Sequence, residues 1–269
     1  MWEARHFRWL DHPKMGISTP MLLTVRCARA TADAMGRPPL SDYEKYIRTE
    51  ELLALQKSAE TLSCHDELQF QIVHQVAELW MKLIEHEILF AASKLQEGAV
   101  PRAMRAMARV HGIQALLLEQ LSVLDTMAPR DYMTIRNALG RGSGQESPGF
   151  RRMLKLPEEI WPAFEALLAS RGVTLRQIYE HPDEQPELFN VAEALVDYDQ
   201  NLQSWRMRHL LIVYRQIGVG TPSLKGKPSD LLVEGMQHRF FEALWRVRDE
   251  LFAEWTRTHP YGADKGYHG

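Results

Sequence analysis

The chain has 269 residues, of which 45% are hydrophobic and 25% are charged, a balance that is typical of a globular protein with a sizeable core. This composition excludes a disordered or collagen-like chain. The 32 Lys and Arg residues against 35 Asp and Glu give a formal charge of −3, which argues against nucleic acid as a partner. Only Cys27 and Cys64 are present, too few for a disulfide scaffold or a cysteine-built zinc site.

No apolar run approaches the roughly 18–20 residues of a membrane span, and none forms a signal-peptide core. The low cysteine content fits a reducing compartment. The sequence therefore predicts a cytoplasmic protein with no membrane partner.

The N-terminal 40 residues are rich in Trp, Gly and Pro, which is typical of an irregular arm. The helical body begins after Ser41, a plausible N-cap for a short amphipathic helix from Tyr43 to Gln56. We expect residues 1–40 to form an arm, 41–258 a single helical domain and 259–269 a polar tail.

Two long helices with a tight connection are predicted next, and together they form an antiparallel hairpin. The first runs from Asp66 to Leu95 without Gly or Pro, and Gly98 ends it. The second opens at Pro101 and continues to Met127. The apolar stripe of the first helix comprises Leu68, Ile72, Val76, Leu79, Leu83 and Ile84.

The remaining chain predicts further helices separated by two Gly- and Pro-containing loops. The loops cover 138–149 and 218–228, and the first does not match a phosphate-binding GxGxxG after a strand. Shorter helices are expected over 157–170 and 175–180, a third long helix over 188–217 and a last one over 230–255. No strand of any length alternates, so the fold class is all-α, a bundle of long helices.

Two histidines lie on apolar stretches of long helices. His209 follows Trp205 by four residues and precedes Val213 by four, which predicts that it is buried, and His74 has a similar placement one turn after Phe70. Each could be a core histidine satisfied by a local hydrogen bond. As a pair on facing helices, they could instead hold a metal or a haem iron, with one as axial ligand and the other over the open face.

Competing metal motifs are absent from the sequence. HExxH, CxxC and the paired Glu-x-x-His of di-iron bundles are not found on the long helices, and without CxxCH any haem is bound non-covalently.

Arg136 directly precedes the first Gly-rich loop, which contains Ser143. A guanidinium beside flexible backbone donors can clamp a carboxylate, although a surface arginine near a loop is also common. Thr221, in the second loop, carries no signal by itself.

Four segments in order resemble the tryptophan 2,3-dioxygenase family. HDELQFQIVHQVAELWMKLIEHE at 65–87 is similar to its HDE-x-x-F-x-x-x-HQ-x-x-ELW helix, and DYMTIRNALGRGSG at 131–144 to its Y-x-x-FR…L…SG stretch. WRMRHLLIVYRQIGVGT at 205–221 is similar to WR-x-RH…R-x-IG…GT, and RFFEALWRVR at 239–248 to the RFFPELW-type segment.

This resemblance implies an oxygenase that binds haem b and uses O2 to oxidise the indole ring of L-tryptophan or a substituted tryptophan. His209 would be the proximal haem ligand. His74 would be the catalytic residue over the distal face beside the indole nitrogen, where it would accept a hydrogen bond from the indole N–H or act as a base. The substrate pocket would comprise Phe70 against the indole ring, Tyr132 in the lining, Arg136 on the carboxylate, and Ser143 and Thr221 near the haem and the amino-acid head group.

The resemblance also implies a homotetramer or homodimer. In this family the short N-terminal helix of a neighbouring subunit closes the site, which assigns Tyr43, Tyr46 and Ile47 to a partner's pocket.

The sequence departs from the family pattern in three places. The GTGGSSG loop reads Gly-Thr-Pro-Ser-Leu-Lys-Gly at 220–226, with Pro222 in place of a permissive glycine. The SGFQS stretch reads Ser-Gly-Gln-Glu-Ser at 143–147, and the segment between 150 and 200 is shorter.

These departures favour a specialised relative, such as the natural-product haem monooxygenase of the maremycin pathway that converts β-methyltryptophan to a 2-oxindole. Such an enzyme could need an external reductant. The alternatives are a tryptophan 2,3-dioxygenase that makes N-formylkynurenine, a non-catalytic haem-binding sensor, and a helical scaffold with buried histidines.

Overall fold

A computed structural model describes residues 39–140, 142, 144–219 and 238–259. Every regular element in these ranges is helical, which confirms the all-α prediction. No helix within them is both long enough and apolar enough to cross a membrane. The chain divides into two compact units, residues 1–55 and 56–269. The division into an arm, a domain and a tail stays a prediction, because most of the arm and tail lie outside the described residues.

The described part of the first unit contains helices α1 (Asp42–Ile47) and α2 (Thr49–Leu53). Ser41 caps α1 as predicted: its hydroxyl accepts from the amide of Glu44, whose carboxylate accepts from the amide of Ser41 at 2.8 Å. The predicted continuous helix is wrong at Arg48. That residue has a φ of 55°, a left-handed conformation that ends α1.

The second unit is built around one central helix. It contains α3 (Glu67–Gln96), α4 (Val100–Glu119), α5 (Leu121–Leu124), α6 (Pro129–Ala138), α7 (Pro148–Met153), α8 (Leu156–Arg171), α9 (Leu175–Glu180), α10 (Pro186–Ile217) and α11 (Glu242–Thr258), with a 3-10 turn at Gly144–Glu146. Helix α3 packs on α4, α7 and α8, while α4 also packs on α10, and α9 joins α10 to α11. The main core lies between these long helices.

The structure differs from the prediction at several helix ends. The helix expected over 101–127 is interrupted at Gln120 and ends at Leu124. Leu121 and Leu124 belong to a second apolar cluster with Val73. The last helix begins at Glu242 rather than at residue 230. Phe241 is its N-cap, and residues 230–237 lie outside the described ranges.

The predicted apolar stripe of α3 is mostly not its buried face. Leu79 is 52% exposed, and Leu68, Ile72 and Leu83 are also exposed. The core side of the helix is formed by Met81, Ile84, Ile88, Ala91 and Leu95. Helix α3 is therefore apolar on two faces, one of which packs inside the chain.

A buried carboxylate fastens the start of α11 to α10. Asp199 is fully buried and accepts from the indole N–H of Trp245 at 2.8 Å, from the amide of Phe240 at 3.2 Å and from the side chain of Gln203 at 3.2 Å. A buried donor that loses its acceptor costs about 1–3 kcal/mol.

We expect Asp199→Ala to lower the free energy of unfolding by about 2–4 kcal/mol, because two partly buried N–H groups, those of Phe240 and Trp245, lose their acceptor together. Urea denaturation of both proteins measures the loss. Asp197→Ala is the matched control, since Asp197 is exposed two residues away on α10. Equal stability of the two variants would show that the Asp199 contacts do not hold α11.

Candidate functional site

A cavity of about 340 Å³ opens between α3, α7 and α10. This volume lies within the range of about 300–1,000 Å³ that is usual for cofactor and ligand sites. Its wall is largely apolar and includes a few polar groups: Val73, His74, Ala77, Glu78, Met81, Gln120, Leu121, Leu124, Gly144, Ser147, Phe150, Arg151, Leu154, Trp205, Arg206 and His209. The two predicted histidines thus line one cavity from two different helices.

His209 presents a neutral imidazole to this cavity. Burial, and secondarily the neighbouring charge of His74, lower the pKa of His209 to about 4. Its ring stacks on the indole of Trp205, with ring centroids 5.2 Å apart and planes at 11°. A neutral imidazole that is held in one plane is suited to bind a haem iron.

His209 is half-buried rather than fully buried, because one side of its ring opens on the cavity. No described residue forms a hydrogen bond with its imidazole. The interpretation of His209 as a core histidine satisfied by a local hydrogen bond therefore finds no support among the described residues.

His74 is exposed to the cavity, so the expectation of burial similar to that of His209 is wrong for this residue. Its Nδ1 lies 2.7 Å from the carbonyl oxygen of Phe70, which can only accept a hydrogen bond. Nδ1 therefore carries the proton in the neutral ring and Nε2 is an acceptor. Burial by surrounding atoms lowers the pKa of His74, which keeps the ring neutral at pH 7.

Three other predicted site residues are each close to the next: Phe70 to His74, Tyr132 to Phe70 and Arg136 to Tyr132. The rings of Phe70 and His74 are 4.0 Å apart, and those of Phe70 and Tyr132 are 6.4 Å apart. Burial raises the pKa of Tyr132, and the nearby charge of Arg136 opposes this effect. Phe70, Tyr132 and Arg136 therefore lie together beside the cavity, although they are not part of its lining.

The other predicted positions stay untested by the described residues of the cavity. Ser143 and Thr221 lie outside the described residues. Tyr43 and Tyr46 lie in α1 and are 71% and 88% exposed, and Ile47 is also exposed. Their proposed role in a partner's pocket stays a prediction.

Several groups in the cavity wall were not predicted as site residues. Glu78 lies one turn after His74, while Arg151 and Arg206 bring positive charge to the wall. In the sequence analysis Trp205 serves only to place His209 on an apolar stretch. The position of Glu78 four residues after His74 was a usable signal, because residues at this spacing share a helix face.

The residues present fit a haem. The cavity offers two neutral imidazoles, an apolar lining and two guanidinium groups that suit the two carboxylates of the porphyrin. The indole N–H of Trp205 is buried, and no described residue accepts its hydrogen bond. This donor beside His209 is therefore available to an acceptor on a bound group. We assign His209 as the residue that would hold the iron.

Comparison with known proteins agrees with this geometry. The family model described as tryptophan 2,3-dioxygenase matches residues 30–156. The tryptophan 2,3-dioxygenase of Caulobacter vibrioides is 32% identical over 260 residues, covering 78% of this chain and 98% of the relative. That of Saccharopolyspora erythraea is 33% identical, covering 78% and 92%. The chain therefore belongs to the tryptophan 2,3-dioxygenase family of haem-dependent oxidoreductases.

Proposed function

We propose that this enzyme uses O2 to oxidise the indole ring of L-tryptophan or a substituted tryptophan such as β-methyltryptophan, and that it inserts one oxygen atom to give a 2-oxindole. The observation that carries the substrate class is the pair of histidines, His74 and His209, that line one cavity, with Phe70 and Tyr132 packed in turn beside His74 and Arg136 close to Tyr132.

The arrangement suits a zwitterionic aromatic amino acid. The guanidinium of Arg136 binds the substrate carboxylate, and the rings of Phe70 and Tyr132 enclose the indole. Nε2 of His74 accepts the hydrogen bond of the indole N–H, because its Nδ1 is already committed to the carbonyl of Phe70. Together these contacts hold the reacting carbons C2 and C3 in one orientation.

The haem, when bound, supplies the redox chemistry that makes O2 reactive towards the indole ring. Insertion of one oxygen atom leaves the other to depart as water, so this reaction consumes two electrons and two protons. An external reductant must provide the electrons. The departures from the family pattern at Pro222 and at 143–147 support this specialised reaction.

A second candidate is dioxygenation to N-formylkynurenine, which needs no net reductant. It is favoured by the names of the relatives, since those reported above are tryptophan 2,3-dioxygenases.

Labelled O2 separates the two reactions. We expect the haem-loaded protein, given L-tryptophan or β-methyltryptophan and a reductant, to form a product with one labelled oxygen atom. Mass spectrometry of the product measures this. Two labelled atoms in N-formylkynurenine would overturn the proposal in favour of dioxygenation.

We further propose that the chain forms a homodimer or homotetramer. The exposed apolar face of α3, formed by Leu68, Ile72, Leu79 and Leu83, is of the kind that subunit interfaces cover. The helix carrying Tyr43, Tyr46 and Ile47 would close a neighbouring site. Sedimentation of the haem-loaded protein as a monomer would contradict this assembly.

A further inference from the structure

Glu78 connects the helix that carries His74 to the start of α7. Its carboxylate accepts a hydrogen bond from the hydroxyl of Ser147 and another from the amide of Gly149, the latter at 3.0 Å. The hydroxyl of Ser147 accepts in turn from the amide of Phe150 at 3.0 Å, which makes Ser147 the N-cap of α7. One carboxylate therefore accepts from two donors at this helix start, the hydroxyl of Ser147 and the amide of Gly149.

The contact is close enough to require glycine at position 149. A Cβ there would lie 2.7 Å from Oε2 of Glu78 and 2.9 Å from Cβ of Met81. The backbone of α7 thus lies directly on α3, and the close approach is one that only glycine allows.

This connection reaches both predicted haem-facing histidines. Glu78 lies one turn after His74 on the same helix face. Phe150 lines the cavity from α7, and its ring is 5.4 Å from that of Trp205, which stacks on His209. Contacts therefore run from Glu78 through α7 and Phe150 to Trp205, the residue that stacks on His209.

We propose that Glu78 is a positioning residue for substrate binding: by holding Ser147 and Gly149 against α3, it sets the width of the cavity between the two histidines. The inference deepens the proposed function and rests on it. Glu78 is not placed in contact with the substrate, so it acts through α7 and Phe150.

A second carboxylate of α3 provides a matched control. Glu85, two turns further along, accepts from Arg152 of α7 at 2.6 Å, so it also joins α3 to α7. It does not belong to the cavity lining. If every connection between α3 and α7 supported substrate binding equally, Glu85→Ala and Glu78→Ala would weaken tryptophan binding by the same factor.

The test uses two readouts besides activity. In the haem-free protein, we expect Glu78→Ala to raise amide hydrogen exchange at Gly149 and Phe150 about tenfold. In the haem-loaded protein, we expect the dissociation constant for L-tryptophan, from a spectral titration, to rise about tenfold at unchanged haem content. Glu78→Gln keeps a hydrogen-bond acceptor and serves as the second variant if Glu78→Ala does not fold. We expect its amide exchange rates and its dissociation constant for L-tryptophan to lie between those of the wild type and of Glu78→Ala.

Two outcomes would overturn the inference. One is that exchange in Glu78→Ala, or in Glu78→Gln if only that variant folds, equals that of the wild type. The other is that Glu85→Ala weakens tryptophan binding as much as Glu78→Ala does. Failure of the wild-type protein to bind L-tryptophan would contradict the proposed function instead, while the exchange experiment would still decide whether Glu78 holds α7.

Discussion

Replacing His209 with alanine is expected to abolish haem retention. His209 is the proposed ligand of the haem iron: burial lowers the pKa of its imidazole to about 4, so the ring is neutral, and the ring stacks on Trp205. Loss of a supporting group of a metal ligand already costs about 10–100-fold in affinity, so loss of the ligand itself should cost at least as much. Haem content after gel filtration, measured from the Soret absorption, gives the result.

A matched histidine separates ligation from general destabilisation. His111 of α4 is also half-buried, but its Nε2 lies 2.9 Å from the carbonyl oxygen of Ala194, outside the cavity lining. His111→Ala should therefore keep its haem. Added imidazole should restore part of the haem binding to a His209→Gly variant, because the free ligand can occupy the space. Full haem retention by His209→Ala would refute the assignment.

Replacing Arg136 with leucine is expected to raise the KM for L-tryptophan about 100-fold, because two hydrogen bonds to a carboxylate are lost. The charge of Arg136 is near Tyr132, and the ring centroids of Tyr132 and Phe70 are 6.4 Å apart. Steady-state kinetics of the haem-loaded variant measure the change. Arg136→Lys should recover only part of the loss, since an ammonium cannot form the planar two-bond contact.

The substrate provides the control for this prediction. Tryptamine has the indole ring but lacks the carboxylate, so its binding should be the same in Arg136→Leu and in the wild type. Arg130→Leu changes an exposed arginine of the same helix and should leave the KM unchanged. A KM for L-tryptophan that stays at the wild-type value in Arg136→Leu would remove Arg136 from the substrate site.

The long helices could be predicted from sequence to within a few residues at most ends. Helix α3 starts and ends within one residue of its prediction, because an uninterrupted apolar period is followed by Gly98, which has a φ of 70°. The break at Arg48 could not be predicted, since a left-handed arginine leaves no mark in the sequence. Pro129 and Pro148 each lie at the first position of a short helix, a position that proline favours, so the sequence marks the start of both helices.

The candidate site was predicted less completely than the fold. The helical period could place His74 and His209 on apolar stretches. It could not show which sides of the two helices border one cavity, because that depends on how the helices pack. For the same reason the stripe containing Leu79 was predicted as one apolar face, and the structure shows that it is exposed. The roles of Glu78 and Trp205 depend on contacts with α7 and with His209, which become visible only in three dimensions.

Steady-state O2 consumption by the haem-loaded protein, with L-tryptophan as substrate and a reductant present, decides whether the protein oxidises the indole ring. We expect consumption that requires both haem and tryptophan and that is lost together with haem in His209→Ala. A protein that binds haem and tryptophan but consumes no O2 above the background of haem and reductant would contradict it, and would identify a haem-binding sensor instead.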